Sequence, residues 1–536
     1  MERDNPLAES GRAARGSACT TRRRFLSAAL VGLVPKTDRP IAGGFVDRSE
    51  EIGHKLRSRG PFRAPARSLR APVVIVGGGM AGLCAAWHLQ KRGFREFVLL
   101  ELEAEAGGVS RWGQNQITGF PWGAHYVPVP GARSLLIREL LADLGVLVDG
   151  RWEERYLCFS PQERLYLHGR WQEGLEPELG ATQRDHAQYR RFEERIREFR
   201  ASDAFTVPME GGQPLQGGPP HGGGPPPAAA LDRMSFSDWL RHEAFDSPYL
   251  RWYANYACRD DYGALAEETS AWAGIHYFAA REPEEKGPLT WPEGNGWIVR
   301  RLAERLRGRI RTGSAVYRIE PLSRDRRGAL RVLTEDTEYL AEAVIFAAPT
   351  FLAPYLLESA PAVSEFEYSP WLTANLVLDR PPRQRGAELA WDNVIYDSPA
   401  LGYVVATHQM LGARRPDRDV WTFYWALAQG PAARNRKLLL AADWSYWKEA
   451  ILNDLARAHS DIRQCVSRID VMRMGHAMAR PRVGFLSSEQ RRRAAASNGP
   501  LYFGHSDLSG FSIIEEAQYR GVAAADGALQ RLGGRR

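Results

Sequence analysis

The sequence predicts an α/β fold in which one nucleotide-binding domain is assembled from separated stretches of chain, with a second domain, part sheet and part helix, inserted between them. Three observations carry this. A strand, a glycine-rich turn and an apolar-periodic helix open the folded part at Ala71; a strand, a small-residue turn and a helix recur near the C-terminus; and long helical patterns fill the middle.

The 536 residues begin with Thr21-Arg22-Arg23-Arg24-Phe25-Leu26 and an uncharged run ending at Pro35. That run is about half the roughly 20 apolar residues a membrane span needs. A basic cluster before a short apolar run has the form of an export leader, and this one resembles the twin-arginine signal of bacterial proteins exported already folded. Residues 1–35 are therefore read as the signal region, with a periplasmic destination and membrane attachment only through an uncleaved signal. Residues 36–70, polar and punctuated by Arg, Pro and Gly, read as a linker.

Composition excludes several classes. With 44% hydrophobic and 25% charged residues the chain is globular. The formal charge of +7 is carried by the Arg-rich first 70 residues, and no basic stripe interleaved with aromatics follows, so no nucleic-acid partner is expected. Five scattered cysteines without C-x-x-C spacing suggest neither a metal site nor a disulfide framework.

From Ala71 the order is a strand (Val73 to Val76), a turn, a helix (Met80 to Arg92) and a strand (Phe97 to Leu100). Gly77, Gly79 and Gly82 satisfy G-x-G-x-x-G, with Ala81 inside the motif. The first permits the tight turn, the second lets backbone approach a pyrophosphate, and the third lets the helix pack on the strand. The helix N-terminus offers free N–H groups to phosphate. Glu101, at the end of the next strand, suits the two ribose hydroxyls of an adenosine and argues against a 2′-phosphate.

Residues 151–289 bring helical patterns such as "RDHAQYRRFEERIREF", broken by a Gly/Pro-rich loop at 210–230. A second α/β block at 290–350 holds the helix "GNGWIVRRLAERLRG" and the strands "SAVYRIE", "LRVLTE" and "AEAVIFAAP". Residues 351–484 return to the second domain, and 485–536 close the first with a strand (Leu501 to Phe503) and a helix (Ile513 to Leu529).

The continuation "ELEAEAGGVSRWGQNQITGFPWGAHYVPVPG", with Gly107-Gly108 just after the acidic residue, resembles the FAD-binding fold of the flavin amine oxidase superfamily, which includes phytoene desaturase-like and protoporphyrinogen oxidase-like enzymes. The resemblance spans about Ala71 to Leu529. It implies FAD in a Rossmann-like domain made of 71–150, 290–350 and 485–536, and a substrate domain made of 151–289 and 351–484. It further implies Gly107 and Gly108 against the pyrophosphate, Arg111 in the basic role there, and Gly123, Ala124 and His125 lining the isoalloxazine. Val316 is placed at the adenine, Asp507 at the ribityl chain, and the N-terminus of the last helix, at Ile514, at the pyrimidine ring. His125 is the one polar candidate for tuning or proton transfer.

The implied activity is hydride transfer from a small organic substrate to flavin, then to oxygen or another acceptor. Amines lead by family. The strand region "YSPWLTANLVLDRPP" lacks the lysine that many amine-oxidising members place near the flavin, which keeps desaturation, flavin-dependent isomerisation and a structural FAD as alternatives. "YACRDDYGALAEETSAWAGIHYFAAREP" concentrates Arg259, Asp260, Asp261, Tyr262, Trp272, His276 and Tyr277, as pocket residues or as a structural ion pair.

Overall fold

The computed structural model describes residues 40–46, 50–202, 204–209, 228–281, 287–322, 328–411, 417–496 and 499–533. The signal region at 1–35 and nearly all of the 210–230 loop lie outside the described residues.

Four consecutive β-branched residues, Val73–Val76, form a strand buried on both faces, as central parallel strands are. It is the middle of a five-stranded sheet ordered Ile310–Arg311, Phe97–Leu100, Val73–Val76, Ala343–Phe346, Leu501–Phe503, with every pairing parallel. Its strands thus come from three distant parts of the chain. Helix Met80–Lys91 follows the central strand, and helix Ile514–Gly533 lies against it with Gly521 facing the Ala81 backbone. Each aliphatic side chain buried here stabilises by about 1.5–3 kcal/mol.

Beside it stands a four-stranded sheet, Arg318–Pro321, Leu330–Leu333, Thr337–Ala341 and Arg67–Arg70. Two expectations are corrected at this point. Folded structure does not wait for Ala71: Arg67–Arg70 pairs in parallel with Thr337–Ala341, Ala42–Phe45 pairs in parallel with Val466–Ala479, and Glu50–Arg57 is a helix. These edge strands carry almost no apolar pattern, Arg67–Arg70 being exposed throughout, so their order is supplied by partners hundreds of residues away. "SAVYRIE" is a strand only from Arg318; Ser314 to Tyr317 form an extended connection.

The second part of the fold has an eight-stranded mixed sheet ordered Ala42–Phe45, Val466–Ala479, Tyr368–Leu378, Asp419–Ala426, Gly402–Val405, Asp392–Ile395, Glu163–Leu167, Arg170–Glu173. Alternation along Tyr368–Leu378 sends Leu372, Ala374, Leu376 and Leu378 into a core with Trp447 and Ile451 of helix Trp444–Leu455. Trp371 points the other way, into a cluster with Tyr256, Trp391 and Tyr424.

Helices Gln183–Ala201, Phe236–His242, Pro248–Tyr262 and Ala271–Ala279 supply the helical part. Their starts are written locally: Thr182 and Asp185 form a capping box, and Ser235 and Ser247 accept from backbone N–H groups, Ser247 with Pro248 at the first helical position. Gly263, left-handed at φ 58°, ends the helix that carries Asp260 and Asp261.

Candidate active site

Two walls meet between these domains. The first is the glycine turn. Gly77 has φ +107° with the Ala347–Ala348 backbone against it, and a Cβ on Gly82 would lie 1.9 Å from the Gly77 carbonyl oxygen. Gly79 caps helix Met80–Lys91 without any side-chain hydrogen bond, leaving the first N–H groups free. A Cβ on Gly79 would meet nothing nearer than the Gly108 Cα at 4.0 Å. Ala81 is buried in the first turn. A β-bridge joins Gly79 to Gly107, and Gly108 and Val109 beside it are exposed.

Glu101 ends its strand buried, accepting from the N–H of Gly78 at 2.6 Å and of Glu103 at 2.8 Å, one on each oxygen. Burial pushes its carboxyl up, while the two N–H groups and Arg111 pull the other way. Ser314 N–H donates to the Glu101 carbonyl at 2.7 Å, which carries buried Val316 alongside. Arg111 faces Glu103 at 3.4 Å and donates to the Met472 sulfur at 3.5 Å. Ala124 N–H donates to the Val109 carbonyl at 2.9 Å, and the backbone of Gly123 runs against the same carbonyl, so 107–111 and 123–125 form one wall.

This cradle fits FAD. An uncapped helix start with open space before a backbone free of side chains suits a pyrophosphate. Glu101 keeps a lone pair on each oxygen for ribose hydroxyls, and Ile514 opens the last helix. Asp507, expected at the ribityl chain, is enclosed by the protein's own groups. Its side chain has no exposed surface. It accepts from Thr350 N–H at 2.7 Å, Thr350 Oγ1 at 2.6 Å and Tyr368 Oη at 2.6 Å. Its carboxylate thus ties the short turn Ser506–Ser509 to the turn at Thr350 and to the start of strand Tyr368–Leu378. Burial pushes its carboxyl up, but His505, Thr350 and Tyr368 outweigh that and hold it low.

The second wall is the cluster of rings and carboxylates beyond His125. The His125 ring stacks on Tyr424 at 4.5 Å and lies 5.5 Å from Trp391. Tyr424 Oη donates to the Gly123 carbonyl at 3.0 Å, tying this cluster to the wall expected at the isoalloxazine. Burial pulls the His125 pKa down to about 4, so its ring is neutral at physiological pH. Next to it, the Tyr126 ring meets His125 at 5.0 Å and Trp391 edge-on at 5.9 Å.

Around Tyr126 gather Asp260 and Asp261 from helix Pro248–Tyr262, Glu163 from its strand, and Asp392 from the adjoining strand. Glu163 and Asp392 are paired in register, which sets two carboxylates side by side on one face of the sheet. Glu163 is exposed and Asp260, Asp261 and Asp392 are half-buried, and burial is the first cause that raises each of these carboxyls. Burial, then Asp261 and Glu163, pushes Asp260 up to about 7; burial pushes Asp261 up to about 6, opposed by Arg281; burial, Glu163 and Asp260 push Asp392 well up. Arg281 is held at 2.9 Å by Glu515.

Arg259 forms no ion pair with its acidic neighbours. It donates to the carbonyls of Ser398 and Pro399, while its charge opposes the rise at Asp260. Trp272 and His276 stack with Phe511, Tyr262 donates to the Ala273 carbonyl, and Tyr277 lies near Tyr126 and Asp260. The sequence reading missed Glu163, Trp391, Asp392 and Tyr424, because only sheet register brings residues that far apart together.

These raised carboxyls bind protons more tightly folded than unfolded, so the stability they contribute is present below the ordinary carboxylate range and is lost as pH rises through the folded values. The melting temperature of substrate-free protein is expected to fall between pH 5 and 8, and Asp260→Asn to flatten that fall in calorimetry.

The profile of the flavin-containing amine oxidoreductase family matches residues 80–529. A Baeyer-Villiger monooxygenase, peniC, of Penicillium patulum is 38% identical over 80 residues, 15% of this chain and 11% of its own length. The chain thus spans a small part of that curated relative. Among solved structures, putrescine oxidase bound to putrescine has TM-score 0.66 at 17% identity, covering 86% of this chain and 100% of that one. Cyclohexylamine oxidase from Brevibacterium oxydans IH-35A has TM-score 0.63 at 16% identity, covering 87% and 100%. At such identities the structures speak for the fold alone; the family match over most of the chain says more. The chain belongs to the flavin-containing amine oxidoreductase family.

Proposed function

We propose that this enzyme oxidises a small aliphatic amine that enters as its ammonium. The observation that carries the reading is the group of carboxylates and aromatic rings beyond His125. Glu163, Asp260 and Asp392 crowd there without a cationic side chain seated among them in the described residues, and aromatic rings flank them. Grouping carboxylates in a desolvated space costs free energy unless a cation joins them, and aromatic faces favour the same charge. FAD, when bound, supplies the hydride-accepting chemistry. The chain's part is to place the carbon beside the amine against the 123–125 wall, hold the ammonium from behind, and exclude water.

The test is anaerobic visible spectroscopy of the FAD-loaded protein with monoamines, diamines and polyamines. Bleaching of the flavin bands by an amine is expected. Bands that persist through the panel from pH 7 to 10 would sink the reading, and turnover without consumption of an electron acceptor would assign the site to isomerisation. Putrescine oxidase and cyclohexylamine oxidase, by name amine enzymes of the same fold, support the substrate class.

We also propose export by the twin-arginine route, supported by the Arg22-Arg23 pair and by a cofactor domain built from three stretches of chain, which suits transport after folding. Changing both arginines to lysine is expected to leave the protein in the cytoplasm, as fractionation would show; unchanged export would refute this.

A further inference from the structure

Strand Glu163–Leu167 carries a charge that the amine reading leaves unused. Arg164 is fully buried, and the groups that accept from its guanidinium are neutral: Asn393 Oδ1 at 2.5 Å, Gln384 Oε1 at 2.7 Å, the Ala387 carbonyl at 3.0 Å and Tyr403 Oη at 3.1 Å. A buried cation with only neutral partners costs folding free energy, and the best-attested use of such a group is to fix registry. Resting on the reading of the carboxylates as an ammonium site, we propose that Arg164 and Asn393 are positioning residues: their bond locks the strand register that sets Glu163 beside Asp392.

Glu163 pairs with Asp392, and Arg164 with Asn393, in adjoining parallel strands. Side chains alternate, so the two carboxylates share one face and the Arg164–Asn393 bond holds the other. A slip of one residue would turn every side chain to the wrong face. A slip of two would keep the faces, so the apolar pattern alone does not forbid it; a polar pair that must meet does. Such a slip would displace the partners by about 6.6 Å along the strands and leave one ammonium unable to touch both carboxylates.

Both partners are themselves held in place. The Arg164 guanidinium lies 3.8 Å from the centre of the Trp171 ring, and its bonds to Gln384 and Ala387 tie it to the segment before strand Asp392–Ile395. Asn393 is fully buried and its Nδ2 donates to the carbonyls of Ala390, Trp391 and Tyr403. Tyr403, which takes the fourth bond from Arg164, stacks on Trp421 at 4.0 Å and is 2.7 Å from His459 Nε2. A lock anchored on three strands cannot follow a slip of one of them.

The experiment reads the register directly. Glu163→Cys and Asp392→Cys are combined in a Cys19→Ser background, the four described native cysteines being buried, and disulfide closure is timed in the FAD-loaded protein. In register the pair lies about 4.8 Å apart, within disulfide reach; slipped by two it lies about 8 Å apart, outside it. Adding Arg164→Met with Asn393→Leu, an apolar replacement of a kind that is often no less stable, is expected to slow closure about 10-fold. Asn393→Ser, too short to reach Arg164, gives the same readout in a milder variant. KM and kcat for the best amine of the panel are measured in Arg164→Met/Asn393→Leu and in Asn393→Ser, each with Glu163 intact and with Glu163→Gln. KM is expected to rise about 10-fold at nearly constant kcat, below the roughly 100-fold that a 1 Å misplacement can cost. Joined to Glu163→Gln, the change should add little, as for residues that act through one another. Closure as fast as in the parent cysteine pair, in either variant that melts cooperatively, overturns the lock. An unchanged KM, or a rise that adds fully to that of Glu163→Gln, overturns the positioning role while amine oxidation stands. Wild type that no amine reduces removes the amine reading itself, and closure still decides the lock.

Discussion

Glu163→Gln or Asp392→Asn is expected to raise KM for the amine about 30- to 300-fold, and to leave the substrate-free enzyme melting a degree or two higher than wild type. The two effects have one origin. Register pairing sets these carboxylates side by side on one face of the sheet, where like charges are destabilising by roughly 0.2–1 kcal/mol, before any cost of desolvation. Neutralising either relieves that repulsion. The same change deprives the ammonium of a counter-charge, and removing one partner of a desolvated charge pair costs roughly 2–5 kcal/mol; the open surface of Glu163 and Asp392 favours the lower half of that range. A purely structural pair would behave in the opposite way, with lower melting and an unaltered KM. Amine titrations with scanning calorimetry on the same preparations separate the cases: a fall in melting temperature without a rise in KM would defeat the cation site. At pH 5, where Asp260 and Asp261, pushed up to about 7 and 6, take up protons, the wild-type advantage in KM should shrink.

What the sequence disclosed, and what it withheld, follows the range of the interactions. Val73–Val76, the glycine turn, helix Met80–Lys91 and Glu101 lie within about 30 residues, and each is dictated by neighbours: β-branched residues for the strand, glycines for the turn, and a carboxylate placed at the end of the next strand. These were legible. Arg67–Arg70 and Ala42–Phe45 were not, because four polar or small residues become strands only when Thr337–Ala341 and Val466–Ala479 offer an edge. The dependence on distance is sharper at the carboxylate cluster. Glu163 sits in an alternating stretch and Asp392 in an ordinary one, and their meeting depends on a parallel pairing between strands more than 200 residues apart. Asp507 shows the converse limit. The last motif drew attention to an acidic residue at the right place in the chain, but Thr350 and Tyr368, from other segments, claim its carboxylate.

The cradle itself is best tested by two neighbouring alanines with different consequences. Gly79 has φ −70° and extended ψ, which alanine adopts freely, and the space before it is open to 4.0 Å. Gly79→Ala should therefore fold and melt as the wild-type apoprotein does. Its new methyl group stands where a pyrophosphate must approach the free N–H groups of helix Met80–Lys91. Overpacking of a tight site costs roughly 1–3 kcal/mol, so FAD affinity is expected to drop about 10- to 100-fold by titration of apoprotein. Gly82→Ala puts its methyl 1.9 Å from the Gly77 carbonyl, and Gly77 cannot retreat, because the Ala347–Ala348 backbone already lies against it. The helix must lift off the strand, its start leaves the phosphate position, and the close approach of Gly521 to Ala81 is disturbed as well. This variant should lose both FAD and stability, giving a colourless, low-melting protein. If Gly79→Ala binds FAD with wild-type affinity, the pyrophosphate does not sit at the helix start; if Gly82→Ala keeps its flavin and its melting temperature, the close packing of turn on helix is not what forms the site.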